Sequence, residues 1–534
     1  MNTPVPASAV SRRLDFGWAA TLSSIHAEIA VLLLICTTLA VGAFVSFPLY
    51  DDGWMALVLR ESGRQSLAQN MGDRPIFGFL LECVASFGAA NRLVFVLVNA
   101  VLWLAFAIES GLLFRKLFPE LRDYAIVPAC LTVAPIVLQT QLSTALVSIP
   151  ANLATICSYA AILLLLRQSN GEKTNRPLLL GLAAALAASG VALSEYGVAT
   201  NLVGCVILIG VALTISNQTS VRKLFFRAAW LFTLTGAVYL LFAKTADFSV
   251  RPDVAPAHML RRGTGKLIEV PFDVIAGAWH AVMGAYAAAV GNITLAWDSK
   301  STLVGILFGF LTAILVCLGV QNRRGDGLPG DRPERFPIRL VVLLPAIFFG
   351  LLPFSVMGRA TTLLEFGSRF RIPIMPVAAT TTIAFVLYVV RPSLRWIPVA
   401  LFGFIIGYAS WISTYTAIEQ TRAIAALQLQ EALRSYVAQT DGYTVAVVPF
   451  KRFETELTAN ITSTWPLDLE KRLWVVGIDS AQKQFGDRRT CLPSSVLKIQ
   501  VRGLIRSGKL DQLLWVEAPS GRSVLIEPYC RASN

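Results

Sequence analysis

Two adjacent carboxylates, Asp51 and Asp52 in Tyr50-Asp51-Asp52-Gly53-Trp54, stand directly behind an apolar run at 29–48. Like charges repel, and each loses hydration near lipid, so a chain that only had to leave a bilayer would more simply use Ser, Asn or Lys. What the pair offers is a base, because a carboxylate within reach of a hydroxyl can take its proton as the oxygen attacks. Without chemistry, the same pair is a solvated loop start or an N-cap for a helix over 54–60. The segment closes on Gly72-Asp73-Arg74-Pro75, and further cations follow at Arg359 and in Gly367-Ser368-Arg369-Phe370-Arg371-Ile372-Pro373. Arg presents a planar fork that matches phosphate, so Arg74, Arg359, Arg369 and Arg371 could hold a departing phosphate; equally, they could snorkel to lipid head groups. Glu195, in Leu193-Ser194-Glu195-Tyr196-Gly197, is a carboxylate in a minimal turn between two apolar runs. At membrane depth it would be costly enough to suggest a ligand, and on the water side it is an ordinary turn residue.

The elements that must position these groups are membrane helices. The chain has 534 residues, of which 15% are charged and 55% hydrophobic, where a soluble chain would carry about a quarter charged. Apolar windows predict about eleven helices, at 29–48, 93–113, 124–138, 145–166, 178–193, 196–215, 228–243, 303–320, 340–354, 372–390 and 397–412. Two further apolar stretches, 76–87 and 272–293, read as interfacial or re-entrant helices, the first for its length and the second for its Ala/Gly-rich character.

Lys and Arg crowd every second loop: Arg12/Arg13, Arg115/Lys116/Arg122, Arg167/Lys173/Arg176, Arg222/Lys223/Arg227, Arg323 to Arg339, and Arg391/Arg395. The positive-inside rule makes these loops and the N-terminus cytoplasmic, and it accounts for the net charge of +13 without nucleic acid. The longer segments 49–75, 244–301 and 355–371 then lie outside, where loops on a helical scaffold can build a site. The basic groups of 244–301 (Arg251, His258, Arg261, Arg262, Lys266 and His280) could attract an anionic lipid or polysaccharide.

From 415 onward charges return. A helix to about 437 and strand-like runs at 443–448, 473–478, 496–501, 512–516 and 523–526 predict a small extracytoplasmic α/β domain over 415–534. Six of the eight cysteines are scattered through apolar segments as small core residues, whereas Cys491 and Cys530 lie in this tail and can pair if it faces an oxidising compartment. No HxxxH or HExxH spacing points to zinc, and no Walker A, GxGxxG or GxSxG stretch stands in a fitting context.

An acidic pair after the first helix, in a long outer loop that ends in Arg-Pro before an amphipathic stretch, resembles the GT-C class of polytopic glycosyltransferases. The late Arg-Phe-Arg before a proline-bearing helix resembles that class too. The likeness runs loosely over about the first four hundred residues and is nearest to bacterial members that decorate lipopolysaccharide or other envelope polymers. It implies an all-α GT-C-like membrane domain over 1–414 in a bacterial inner membrane and a polyprenyl-phosphate sugar donor. It also implies a glycan or lipid-linked acceptor, and a general base at Asp52 or Asp51. The other Asp would orient a basic group or hold a divalent cation; no metal ligand set is assigned. Arg74, Arg359, Arg369, Arg371 and Glu195 would bind substrate. Two rivals share these substrates. A flippase or transporter for lipid-linked saccharides commonly has internal repeats and ionisable residues inside its spans, and the sequence reads as having neither. A polymerase or ligase of surface polysaccharide relies on outer-loop arginines without a first-loop Asp pair.

Overall fold

The protein is seen in a computed structural model, in which the described residues are 26–43, 75–86, 92–133, 148–167, 176–214, 218–245, 268–293, 299–321, 336–357, 366–426, 443–450, 464–468, 473–479, 510–517 and 522–525. In chain order the helices are α1 (His26–Ala43), α2 (Pro75–Ser86), α3 (Arg92–Leu117), α4 (Ile126–Val133), α5 (Ser148–Arg167), α6 (Arg176–Leu193), α7 (Glu195–Thr214) and α8 (Gln218–Thr245). They continue as α9 (Val270–Ile293), α10 (Ser299–Gln321), α11 (Phe336–Val356), α12 (Met375–Val389) and α13 (Trp396–Ala426). Among the described residues nine helices are long and apolar enough to cross a membrane, and Pro177–Leu193 is a shorter apolar one. The chain is a polytopic integral membrane protein.

Outward-facing Val101, Leu178, Phe226, Phe232 and Leu240 are more than half exposed, as lipid-facing side chains must be, while Trp103, Phe114, Phe118, Tyr159 and Phe354 fill the interior. Lipid is as apolar as leucine, so helices associate by close packing, and small residues let the backbones approach. The α10/α13 pair does this at four places: Gly305 sits against Tyr408 and Trp411, Gly309 against Phe404, Gly403 against the Ala313 backbone and Gly407 against Thr312.

Side-chain contacts sort the helix ends. Arg115 at the end of α3 reaches Glu28 at the start of α1 (3.5 Å), and Gly319 near the end of α10 also lies against Glu28. Arg339 at the start of α11 donates to the Leu117 carbonyl (3.0 Å) and pairs with Glu120 (3.2 Å). Arg227 on α8 donates to the Leu165 carbonyl near the end of α5 (2.8 Å), and Phe336 stacks on Tyr388 near the end of α12. The helix ends that flank all six basic loops therefore gather at one end of the bundle.

The segment 272–293 forms the core of α9, an uninterrupted helix packed on α11, α12 and α13. The end of α8 and the start of α10 both lie at the end of the bundle away from the basic loops, so α9 adds no net crossing. The segment 76–87 is α2, and its 12 residues, about 18 Å of helix, are too short to span.

In the tail, five described strands form one sheet in the order β2-β3-β1-β4-β5: β1 (Tyr443–Phe450), β2 (Thr464–Asp468), β3 (Leu473–Asp479), β4 (Leu510–Glu517) and β5 (Arg522–Leu525). The central strand β1 runs parallel to β3 and β4, and the edge strands β2 and β5 are antiparallel to their neighbours. The apolar run Val445-Ala446-Val447-Val448 suits a strand flanked on both sides. Strand β2 is not among the runs expected from the sequence; it carries Pro466 and occupies an edge, where a missing N–H is tolerated. The segment 496–501 lies outside the described residues.

Candidate functional site

The α6–α7 hairpin turns on Ser194 alone. Its hydroxyl accepts from the Tyr196 N–H (3.5 Å), capping α7, and donates to Glu195 Oε2 (3.1 Å), which fixes the carboxylate at the first residue of the helix. The hairpin closes tightly because a Cβ at Gly197 would meet the Gly190 carbonyl, and one at Gly190 would meet Ser158 on α5. The Ser158 hydroxyl donates to the Gly197 carbonyl (3.4 Å).

Ser158 lies ten residues beyond the start of α5 at Ser148, so the turn meets α5 about 15 Å below the start of that helix. Phe106, whose ring lies 6.1 Å from that of Tyr159, is fourteen residues beyond the start of α3, about 21 Å along it. Glu195 thus sits on the side of the bundle away from the basic loops, well below the starts of α3 and α5.

The 3-10 helix Phe366–Ile374, which carries Arg369 and Arg371, comes to the same place. Tyr196 packs its ring 6.3 Å from Phe370 and 5.3 Å from Phe354 at the end of α11, and Phe354 and Phe370 are 5.0 Å apart. The Tyr159 hydroxyl donates to the Pro373 carbonyl (2.6 Å), fastening the 3-10 helix to α5. Arg371 is 1% exposed and its Nη1 donates to the His280 carbonyl on α9 (2.8 Å). His280 is half-buried, in keeping with a packed histidine. A guanidinium this deeply buried is not a snorkelling head group; it is held from the side of α9 with a fixed orientation.

Of the residues singled out from the sequence, Glu195 and the Arg369–Arg371 segment are brought together. The Arg369 side chain, and Asp51, Asp52, Arg74 and Arg359 altogether, lie outside the described residues, as do Arg251, His258, Arg261, Arg262 and Lys266. Among the described residues no three His, Cys, Asp or Glu side chains converge as a metal group. Sequence reasoning passed over Tyr159 and Tyr196, which hold the site. Their signal was a tyrosine inside an apolar span and a tyrosine at a helix start, where each hydroxyl or ring needs a partner.

One expectation is corrected. The spans were read as free of ionisable residues, but Glu109 lies within α3 and is 8% exposed. Twenty-odd apolar neighbours make a single acid easy to absorb into a hydropathy average.

No protein-family model matches the chain, and no curated protein does. Among solved structures it is similar to the Archaeoglobus fulgidus oligosaccharyltransferase in complex with zinc and sulfate, at 14% identity and a TM-score of 0.41, over 91% of this chain and 68% of that one. It is also similar to the archaeal oligosaccharyltransferase AglB from Archaeoglobus fulgidus in complex with an inhibitory peptide and a dolichol-phosphate, at 11% identity and a TM-score of 0.40, over 92% of this chain and 69% of that one. The functional reading stands on this chain's own residues.

Proposed function

We propose that the protein is a membrane glycosyltransferase that moves a sugar from a polyprenyl-phosphate donor to a glycan or lipid-linked acceptor on the extracytoplasmic face. The observation that carries this reading is the packing of the Glu195 turn against the 3-10 helix of Arg369 and Arg371, away from all the basic loops. If those loops are cytoplasmic, as the charge rule requires, this cluster lies toward the outer side and the tail domain lies outside.

In this reading Asp52, or alternatively Asp51, takes the proton from the acceptor hydroxyl as its oxygen attacks the anomeric carbon, and the lipid phosphate leaves from the opposite face, inverting the configuration. Arg74, Arg359, Arg369 and Arg371 stabilise that phosphate, and Glu195 orients a sugar hydroxyl. The second Asp either orients a cation or holds a divalent ion.

The test is transfer of labelled sugar from polyprenyl-phosphate donors by the purified protein in nanodiscs. Asp→Asn at positions 51 and 52 keeps size and removes basicity, and loss of a base lowers the rate by about 10²–10⁴. Wild-type transfer rates in the double Asn variant would refute the reading. A second reading, a flippase for lipid-linked saccharides, is favoured by Glu109, since transporters place ionisable groups inside their spans. It requires movement of the intact donor between leaflets with no sugar transferred, which sealed vesicles carrying the purified protein can report.

A further inference from the structure

Glu109 takes no part in the reaction proposed above. It stands in α3 eight residues before Leu117, about 12 Å of helix from the basic end and further still from the start at Arg92, and so at hydrocarbon depth. It is 8% exposed, and its Oε2 has no hydrogen-bond partner. The next residue cannot help, because the Ser110 hydroxyl is engaged with Thr132 and the Pro128 carbonyl.

Among the described residues, the surroundings of Glu109 supply no counter-charge. From α5, Cys157 and Tyr159 lie within its electrostatic reach. The other titratable group of α4 is Cys130, and that of α12 is Tyr388. Glu120, Arg122 and Asp123 belong to the 3-10 helix Pro119–Tyr124 beyond the end of α3. Arg115 and Lys116 stand at least six residues along, about 9 Å, and Arg115 reaches Glu28; Arg167 is ten residues beyond Cys157. A lone carboxylate in such a seam suffers a desolvation cost that nothing offsets, whereas a neutral carboxylic acid does not.

We propose that Glu109 is a proton-binding site inside the membrane, carrying one proton in the closed bundle and exchanging it with water when the α3–α5 seam opens. The exchange is carboxylate plus hydronium giving carboxylic acid plus water, with no other reactant. It has a route to the candidate site: Tyr159, within reach of Glu109, is the residue whose hydroxyl fastens Pro373 and with it the 3-10 helix. A charge appearing on Glu109 would alter the field at that hydroxyl and loosen or tighten the segment that bears Arg369 and Arg371. The proposal requires neither the transferase nor the flippase reading.

The test uses the full chain in phosphatidylcholine nanodiscs and the probe N,N′-dicyclohexylcarbodiimide, which adds to protonated carboxyls in apolar surroundings. Peptide mass spectrometry should find the adduct on Glu109 and none at that position in Glu109→Gln. The labelling rate should fall by roughly tenfold per pH unit once the proton begins to leave. Infrared difference spectra between wild type and Glu109→Gln should show a protonated-carboxyl stretch that shifts in D2O. Absence of both the adduct and the band overturns the proposal. So does a band that never exchanges at any pH at which the protein stays folded, which would make Glu109 a fixed structural acid.

Discussion

Tyr159→Phe removes one oxygen and leaves the ring in place against Phe106, so it isolates the hydrogen bond to the Pro373 carbonyl. Side-chain hydrogen bonds within membrane proteins average about 0.6 kcal/mol and reach about 1.7 kcal/mol. The bond here is short, at 2.6 Å, and its donor is fully buried, which places it toward the upper end. Its loss also leaves a buried carbonyl without that donor, a situation that costs about 1–3 kcal/mol. A net cost near 1.5 kcal/mol follows, about a tenfold shift in equilibrium. That shift falls on local opening of Phe366–Ile374, because the rest of the core is untouched. Hydrogen–deuterium exchange should show about tenfold faster opening of peptides covering 366–374, with α5 protected as before. Donor turnover should drop with it, and Tyr159→Leu, which also loses the ring, should add general destabilisation. Unchanged exchange in 366–374 on removal of the hydroxyl would mean that this bond does not hold the segment.

Three other outcomes are expected. Gly197→Ala drives a methyl into the Gly190 backbone, an overpacking cost of about 1–3 kcal/mol, and should displace Glu195; thermal unfolding in detergent checks the stability and substrate binding checks the site. Gly403→Val forces α13 away from the Ala313 backbone, 2.8 Å from where its Cβ would stand, at a similar cost, and should lower the unfolding temperature while leaving the Tyr196–Phe370 contact intact. In the tail, Cys491 and Cys530, both outside the described residues, should resist thiol labelling of the denatured, unreduced protein; efficient labelling of both would argue against a bond and against an oxidising outer location.

The helices were legible because hydropathy reads the quantity that decides them: all eleven expected segments fall on helices, nine of them on candidate spans among the described residues. The alternation of basic loops anticipated the sorting of helix ends, for repeated contacts such as Arg339 with Glu120 join the same set. Four of five expected strands coincide with observed ones, the fifth lies outside the described residues, and β2, which carries a proline, was not among those expected. The site was legible only as residue types. The turn at Ser194-Glu195 announced itself, but its meeting with Phe370 depends on two glycines that let α6 and α7 close against Ser158, and a contact between Tyr196 and Phe370, 174 residues apart, leaves no local pattern. Glu109 was lost for the opposite reason, since an averaging window rewards its neighbours and conceals the one side chain whose burial is costly.

Depth connects these parts. The basic end of the bundle is fixed by Arg339 on Leu117, and the candidate site is fixed by Tyr196 on Phe354, fifteen residues further along α11. That separation is about 22 Å, against a hydrocarbon core of about 30 Å, so a bilayer whose one face lies at Arg339 would reach past the Tyr196–Phe354 contact. A substrate with a free soluble leaving group would gain nothing from a site at that depth. One whose phosphate is tethered to a lipid chain would, because its head group already sits at the boundary and need only tilt inward to meet a buried guanidinium. Arg371→Lys keeps the charge but not the fork, and should therefore weaken binding of a polyprenyl phosphate more than tenfold, about 1.4 kcal/mol, while leaving the fold intact. Binding of a water-soluble sugar phosphate that equals that of the lipid-linked form, in wild type and variant alike, would remove the reason for placing the site so deep.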